Sequence, residues 1–236
     1  NGCSGLTKLD LTNFKTSRVT NMASMFYQCK ALSNLDIVNF DTSNVTDMSY
    51  MFSQCTSLTA LDLTSFNPVK VTTMYRMFWL SNQLQTINLT PSLFNTGNVT
   101  NMESVFDTCT ALKSVDVSHF DTGKVTTMSS MFNGCSNLTA LDVSKFNTSN
   151  VTTMTHMFSS CSSLTTLDFS HFNTAKVKTM NVMFSACLKL TALDLSSFNT
   201  SQVTDISWMF YNCPSLTKLN VSSFNTSKVN SMWLTF

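Results

Sequence analysis

The residues with the most obvious chemistry are eight cysteines: Cys3, Cys29, Cys55, Cys109, Cys135, Cys161, Cys187 and Cys213. An even number would suit a disulfide framework. Neighbouring cysteines, however, are 26 residues apart, except for one interval of 54 in which Ser81 occupies the skipped place. One thiol in 26 residues supplies no pair of ligands at the short spacing a zinc site uses. If successive cysteines stack, their Cα atoms lie about 5 Å apart, within disulfide reach, but their Cβ vectors run parallel instead of converging. The expectation is a ladder of reduced, buried small side chains.

The histidines offer little more. His119 and His171 fall at equivalent places two repeats apart, with Lys145 between them. Two strand spacings separate them by about 10 Å, too far to share a metal ion or a proton. Neither these residues nor His156 sits in a metalloprotease H-E-x-x-H motif. The chain also lacks a glycine-rich phosphate loop and a G-x-S-x-G nucleophile turn. No enzymatic activity and no cofactor are expected.

The carboxylates are placed less randomly. Asp10, Asp36, Asp62, Asp116, Asp142, Asp168 and Asp194 share one position of the repeat, and Asn88 and Asn220 fill the equivalent place elsewhere. Two readings stand: a weak cation site or polar ligand groove, or a solubilising file whose carboxylates bond backbone N–H groups at a turn. A second file alternates Arg18, Lys70, Lys124, Lys176 and Lys228 with Asn44, Asn98, Asn150 and Gln202, which keeps like charges off adjacent rungs. Threonine files raise the idea of an ice-binding plane, but Lys70 and Lys124 stand two residues before Thr72 and Thr126 and break it.

The elements that position these residues follow from the period. Numbering the unit Leu141–Thr166 from 1, all 15 methionines fall at positions 14 and 17, and every phenylalanine but Phe169 falls at position 6 or 18. Positions 24, 1 and 3 read L-x-x-L-x-L, and positions 1 and 3 share one side of a short strand. Positions 14, 17, 18 and 21 have the i, i+3, i+4, i+7 spacing of one helical face, and position 13 carries good helix-starting residues such as Asp47, Asn101 and Thr153. The spacing therefore predicts a strand, a loop and a short helix in each unit. No unit can bury its own apolar face, so units stack into a continuous core. The expected fold is an α/β leucine-rich-repeat solenoid of about nine 26-residue coils, with a parallel β-sheet on the concave side and short helices on the convex side. It takes up residues 1–236 as one unit. A two-residue insertion falls near Pro91-Ser92.

The motif F-[ND]-T-x-x-V-T-x-M-x-x-M-F-x-x-C-x-x-L-T-x-L-D-[LV], as in Phe120–Val143, resembles that of the BspA-like leucine-rich-repeat surface proteins of bacteria. The resemblance extends over essentially the whole chain. It implies an extracellular or cell-surface protein that mediates adhesion or protein binding, and it carries over no catalytic residues. At position 6, phenylalanine replaces the asparagine or cysteine of the commoner leucine-rich consensus.

Composition is consistent with an uncharged binding module. Charged residues are 11% and the formal net charge is +1, against about 25% charged residues in an ordinary soluble domain. A nucleic-acid partner would call for a basic excess, and no apolar run reaches the roughly 20 residues of a membrane span. The best indication of a partner is aromatic. All tyrosines and tryptophans occupy positions 15, 16 or 19, on the outward side of the expected helix. Tyr50, Tyr75, Arg76 and Trp79 form one group, and Trp208, Tyr211 and Trp233 a second. Such residues are the usual anchors of protein interfaces. The first group is expected to be exposed on the convex side, in a coil that departs from the repeat at Ser81 and at the insertion. Neither end of the chain reads as a capped repeat, so a longer array or end-to-end self-association is expected. A structural rod or filament built by stacking solenoids is the alternative to adhesion.

Overall fold

The computed structural model describes residues 2–90 and 92–236. Pro91, half of the insertion read from the sequence, lies outside them. The chain winds in parallel coils, and one ladder shows this most directly. Position 13 of each coil bridges in parallel to position 13 of the next, through Asn21, Asp47, Thr73, Asn101, Thr127, Thr153, Thr179, Asp205 and Ser231. The 26-residue period of the sequence is thus the circumference of one coil.

Inside the coils lies a single apolar core. Met154, Met157, Phe158, Cys161 and Leu164 are each fully buried, and the same positions are buried in the coils on either side. Phenylalanines at position 18 stack face to face from coil to coil, at 5.4 Å for Phe106 on Phe132 and 5.8 Å for Phe132 on Phe158. The parallel-offset stack places like on like, which lets a period of identical residues fill space without a jigsaw of different shapes.

The expected helices are absent: among the described residues there is none. Positions 14–21 form tandem β-turns instead. The Met157 N–H donates to the Met154 carbonyl at 3.2 Å, and the Cys161 N–H to the Phe158 carbonyl at 3.2 Å. The third residue of each turn has positive φ, 57° at His156 and 58° at Ser160, as type II turns require. Alternate N–H groups reach across. Met154, His156, Phe158 and Ser160 donate to the carbonyls of Thr179, Asn181, Met183 and Ser185 in the next coil, at 2.7–3.2 Å. Two four-residue turns in series bring positions 14, 17, 18 and 21 inward, the same set a helix would. Positive φ at a non-glycine residue costs roughly 1 kcal/mol, and it recurs at sixteen such residues among those described. The inter-coil bonds hold it in place. Far-UV circular dichroism of the folded chain should therefore lack the helical double minimum. A spectrum with strong helical bands would refute the tandem-turn path.

The sheet expected on the other side is also reduced. Hydrogen-bonded strands there are β1 (Ala60–Leu63), β2 (Thr86–Leu89), β3 (Ala192–Asp194) and β4 (Lys218–Asn220). They pair in parallel as β1–β2 and β3–β4, with Leu61 opposite Ile87 and Leu193 opposite Leu219. Alternation is as expected: Leu61 and Leu63 are buried and Asp62 is exposed. Local bonds close the segment after position 3, in coils with a strand as in coils without one. In the unit above, the Ser144 N–H is taken by the Asp142 carboxylate at 2.9 Å, and the Phe146 N–H by the Val143 carbonyl at 3.0 Å. The continuous, rung-by-rung bonding thus belongs to the turn side, not to a concave sheet.

Position 8 supplies a further clip. The buried Thr122 hydroxyl donates to the Asn147 carbonyl at 3.0 Å and accepts from the Asn147 N–H at 2.7 Å. Thr16, Thr148 and Thr200 do the same for Asp41, Asn173 and Asn225. One hydroxyl satisfies both backbone groups of a residue in the next coil. Position 8 is Pro68 in the coil before the insertion, so no hydroxyl is offered, and the Asn95 N–H turns to the Leu93 carbonyl at 2.7 Å. Thr122→Val should cost about 1–3 kcal/mol, because it leaves the part-buried N–H and carbonyl of Asn147 without their partner. Thr126→Val should cost much less, since the exposed Thr126 hydroxyl makes only one bond, to the Thr100 carbonyl. Urea midpoints of the two variants decide this; equal, small losses would contradict the clip.

Candidate functional site

The cysteines are structural. All eight are free thiols, Cys29 through Cys187 buried, Cys213 half-buried and Cys3 exposed. Each Sγ from Cys55 onward donates to the carbonyl of the phenylalanine one coil back, as Cys161 does to Phe132 at 3.1 Å and Cys187 to Phe158 at 3.2 Å. Ser81 fits this scheme. Its hydroxyl donates to the Phe52 carbonyl at 2.6 Å and accepts from the Cys55 N–H at 3.2 Å. The departure from cysteine at Ser81 thus keeps the hydrogen bond that the thiol makes in the other coils.

The acidic file lies along the exposed side of the L-x-L segment. Asp10, Asp36, Asp62, Asp116, Asp142, Asp168 and Asp194 are all exposed. Each Oδ1 accepts from the backbone N–H two residues on, at 2.8 Å for Asp168 and up to 3.3 Å for Asp36. These bonds hold the carboxyls of Asp10, Asp62, Asp116, Asp142, Asp168 and Asp194 below the usual carboxylate range. For Asp10, Asp168 and Asp194 the N–H donor leads; for Asp62, Asp116 and Asp142 the neighbouring hydroxyl leads. The carboxylates thus fasten a turn. No group of three or more His, Cys, Asp and Glu that could hold a metal ion occurs among the described residues. The same turn recurs where the sequence reading did not look for it, at position 7, where Asp41, Asp121 and Asn147 accept from Ser43, Gly123 and Ser149.

The histidines are separated. His171 is exposed and His156 half-buried, and burial lowers the pKa of His156. His119 lies edge-on to Phe94 and Phe120, with Nδ1 3.9 Å from Asp116 Oδ1.

The aromatic groups are brought together. Tyr50 meets Tyr75 edge to face at 5.2 Å, and Tyr27, from the preceding coil, meets Tyr50 at 5.9 Å. The Arg76 guanidinium lies 4.5 Å from the Trp79 ring centroid and 5.0 Å from that of Tyr75. Tyr50, Tyr75, Arg76 and Trp79 are half-buried rather than freely exposed, because each covers its neighbour. Burial, and then Tyr50 beside it, pushes the Tyr75 phenol above its ordinary value. Tyr27 was not assigned to the cluster from the sequence; it shares position 19 with Trp79, two coils away. Between them that file holds only the buried Ser53. The gap opens a shallow hollow of about 320 Å³ lined by Ser24, Tyr27, Tyr50, Arg76 and Trp79.

The second group is also assembled. Trp208 packs on Tyr211 at 4.4 Å and on Trp233 at 4.9 Å. Tyr211 and Trp233 are exposed.

A family model described as "Mycoplasma protein of unknown function, DUF285" matches residues 1–91, 81–167 and 139–236. No curated protein matches the sequence. Among solved structures, the chain is similar to a leucine-rich cell surface protein from Faecalibacterium prausnitzii, at 18% identity and TM-score 0.34, over 93% of this chain and 74% of that one. A leucine-rich-repeat protein from Bacteroides ovatus gives 18% identity and TM-score 0.42, over 98% and 70%. One from Eubacterium ventriosum gives 16% and 0.42, over 88% and 60%.

Proposed function

The chain belongs to the family described as Mycoplasma protein of unknown function, DUF285, and from that footing we propose that it is a cell-surface repeat protein that binds a protein partner through the aromatic and arginine side chains of its turn face. The BspA-like resemblance supports surface location and adhesion. The observation that carries the reading is the gathering of Tyr27, Tyr50, Tyr75, Arg76 and Trp79 over three successive coils. Large, pre-positioned aromatic and arginine side chains lose little freedom on binding, which is why they dominate interface energetics.

The test is binding of the immobilised chain to a panel of purified extracellular-matrix proteins. Trp79→Ala should cost roughly 2 kcal/mol or more in binding, about thirtyfold or more in Kd, with the thermal unfolding profile unchanged. Ser144→Ala, beside the acidic file, should leave binding intact. Binding that follows Ser144 and ignores Trp79 would overturn the assignment of the face.

A rod or filament is the second reading, favoured by the identical register of every rung from Asn21 to Ser231. Sedimentation velocity over a range of concentrations separates the two: a rod-former grows with concentration, and a monomeric binder does not.

A further inference from the structure

We propose that the hollow beside Arg76 receives an aspartate or glutamate side chain from an acidic segment of a partner protein. This rests on the protein-binding reading above and names the chemistry of its partner. The guanidinium of Arg76 stacks on Tyr75 and Trp79 but makes no side-chain hydrogen bond and no ion pair among the described residues. Its Nε is buried and without a partner. An arginine held against two rings, with one desolvated N–H and no side-chain partner, is short of an acceptor on its polar edge. Glu103, in the next coil, lies on the Tyr75 side and does not pair with it.

The hydroxyls of the hollow can donate as well. The Tyr27 hydroxyl oxygen accepts from the side-chain amides of Gln28 and Gln54, both at 3.2 Å. With its lone pairs so engaged, its proton is what remains to offer. The Ser24 hydroxyl lines the same wall. A cation and three hydroxyl-bearing residues, Ser24, Tyr27 and Tyr50, with no carboxylate among the lining residues, favour an anionic acceptor. A carboxylate matches the planar fork of arginine in bidentate fashion.

The rings argue against a sugar. Stacking a pyranose needs an open aromatic face. The Trp79 ring already carries the guanidinium, and Tyr50 meets the rings of both Tyr27 and Tyr75 edge to face. What remains is a depression for one short side chain, bounded by ring edges against which its methylene groups can lie.

The experiment uses fluorescein-labelled peptides carrying a central Glu-Glu pair in a neutral Gly-Ser frame, their Gln-Gln counterparts, and heparin as an acidic glycan, read by fluorescence anisotropy with the full chain. The Glu-Glu peptide should bind, and the Gln-Gln peptide should bind at least about tenfold more weakly, as loss of a charge-assisted bidentate pair demands. Arg76→Gln should abolish the difference between the peptides while leaving thermal unfolding unchanged. Arg76→Lys, which keeps the charge and loses the fork, should fall between. Equal binding of the two peptides, an unaffected Arg76→Gln variant, or binding of heparin but not of the Glu-Glu peptide would each overturn the proposal. A matrix protein whose binding is lost in Trp79→Ala but retained in Arg76→Gln would sink the acidic segment alone and leave the protein-binding face standing.

Discussion

Raising the pH above the ordinary thiol range should destabilise this fold far more than a chain of its composition would suggest. Burial pushes the Cys55 and Cys187 thiols up to about 12, and it raises Cys109, Cys135 and Cys161 as well. In the unfolded chain a thiol ionises near about 8.5. The folded pKa is the higher one, so the stabilisation is complete below pH ~8.5 and is lost as pH rises through the folded value. Either Cys55 or Cys187 alone accounts for a loss of about 5 kcal/mol at most, of the order of a typical domain's whole margin when several act together. Urea midpoints measured in reductant across the alkaline range should therefore fall steeply. Replacing Cys55 and Cys187 by serine, the residue that Ser81 shows the core accepts with its hydrogen bond kept, should flatten that fall. An unchanged alkaline slope in the double serine variant would rule the thiols out as its cause.

The second large effect is expected in the phenylalanine stack. Phe158 is fully buried, lies parallel to Phe132 and Phe184 at 5.8 and 5.9 Å, and takes Phe169 edge-on at 5.6 Å. Phe158→Ala should cost about 3–5 kcal/mol, transfer and cavity terms together. Because each coil touches only its neighbours, the damage should be local. Hydrogen exchange should accelerate at amides such as Phe132, Phe158 and Phe184, which bond to the next coil, and remain slow at Met48 and Tyr50, several coils away. Uniform loss of protection along the chain would show that the solenoid unfolds as one cooperative unit instead.

The period, the inward residues and the placement of the short strands were legible in the sequence, because burial in a stack of identical coils repeats whatever it selects. The helices were misread for a definite reason. A helix and two consecutive four-residue turns both direct positions 14, 17, 18 and 21 to the same side. What separates them is positive φ at positions 16 and 20. Those positions hold residues such as Tyr50, Arg76, Val182 and Leu80, which carry no local preference for it, whereas glycine stands there only at Gly2 and Gly134. The inter-coil bonds impose the conformation, and single-residue propensity does not record them. The Asp file resolved into turn-fastening carboxylates, one of the two readings its spacing allowed. The aromatic cluster was visible as a file of residue types. The hollow was not, since it depends on Tyr27 and Trp79 facing each other across Ser53, two coils apart.

The file at position 10 has a consequence for how such an array can grow. Lys70 donates to the Asn44 side chain, Lys124 to Asn98, Lys176 to Asn150 and Lys228 to Gln202, at 2.6–2.7 Å. Asn44, Asn98 and Asn150 in turn donate to a carbonyl one coil further back. The bond runs from a cationic coil to an amide-bearing one, so the chemical repeat is two coils and not one. Duplication or loss of a coil pair by unequal crossing-over preserves this parity. An odd number of coils gained or lost sets ammonium against ammonium, or leaves two amides to share a rung. Selection on such an array should therefore admit length changes in steps of 52 residues (two 26-residue coils) more readily than in steps of one coil, a form of heredity written in which side chain lies above which.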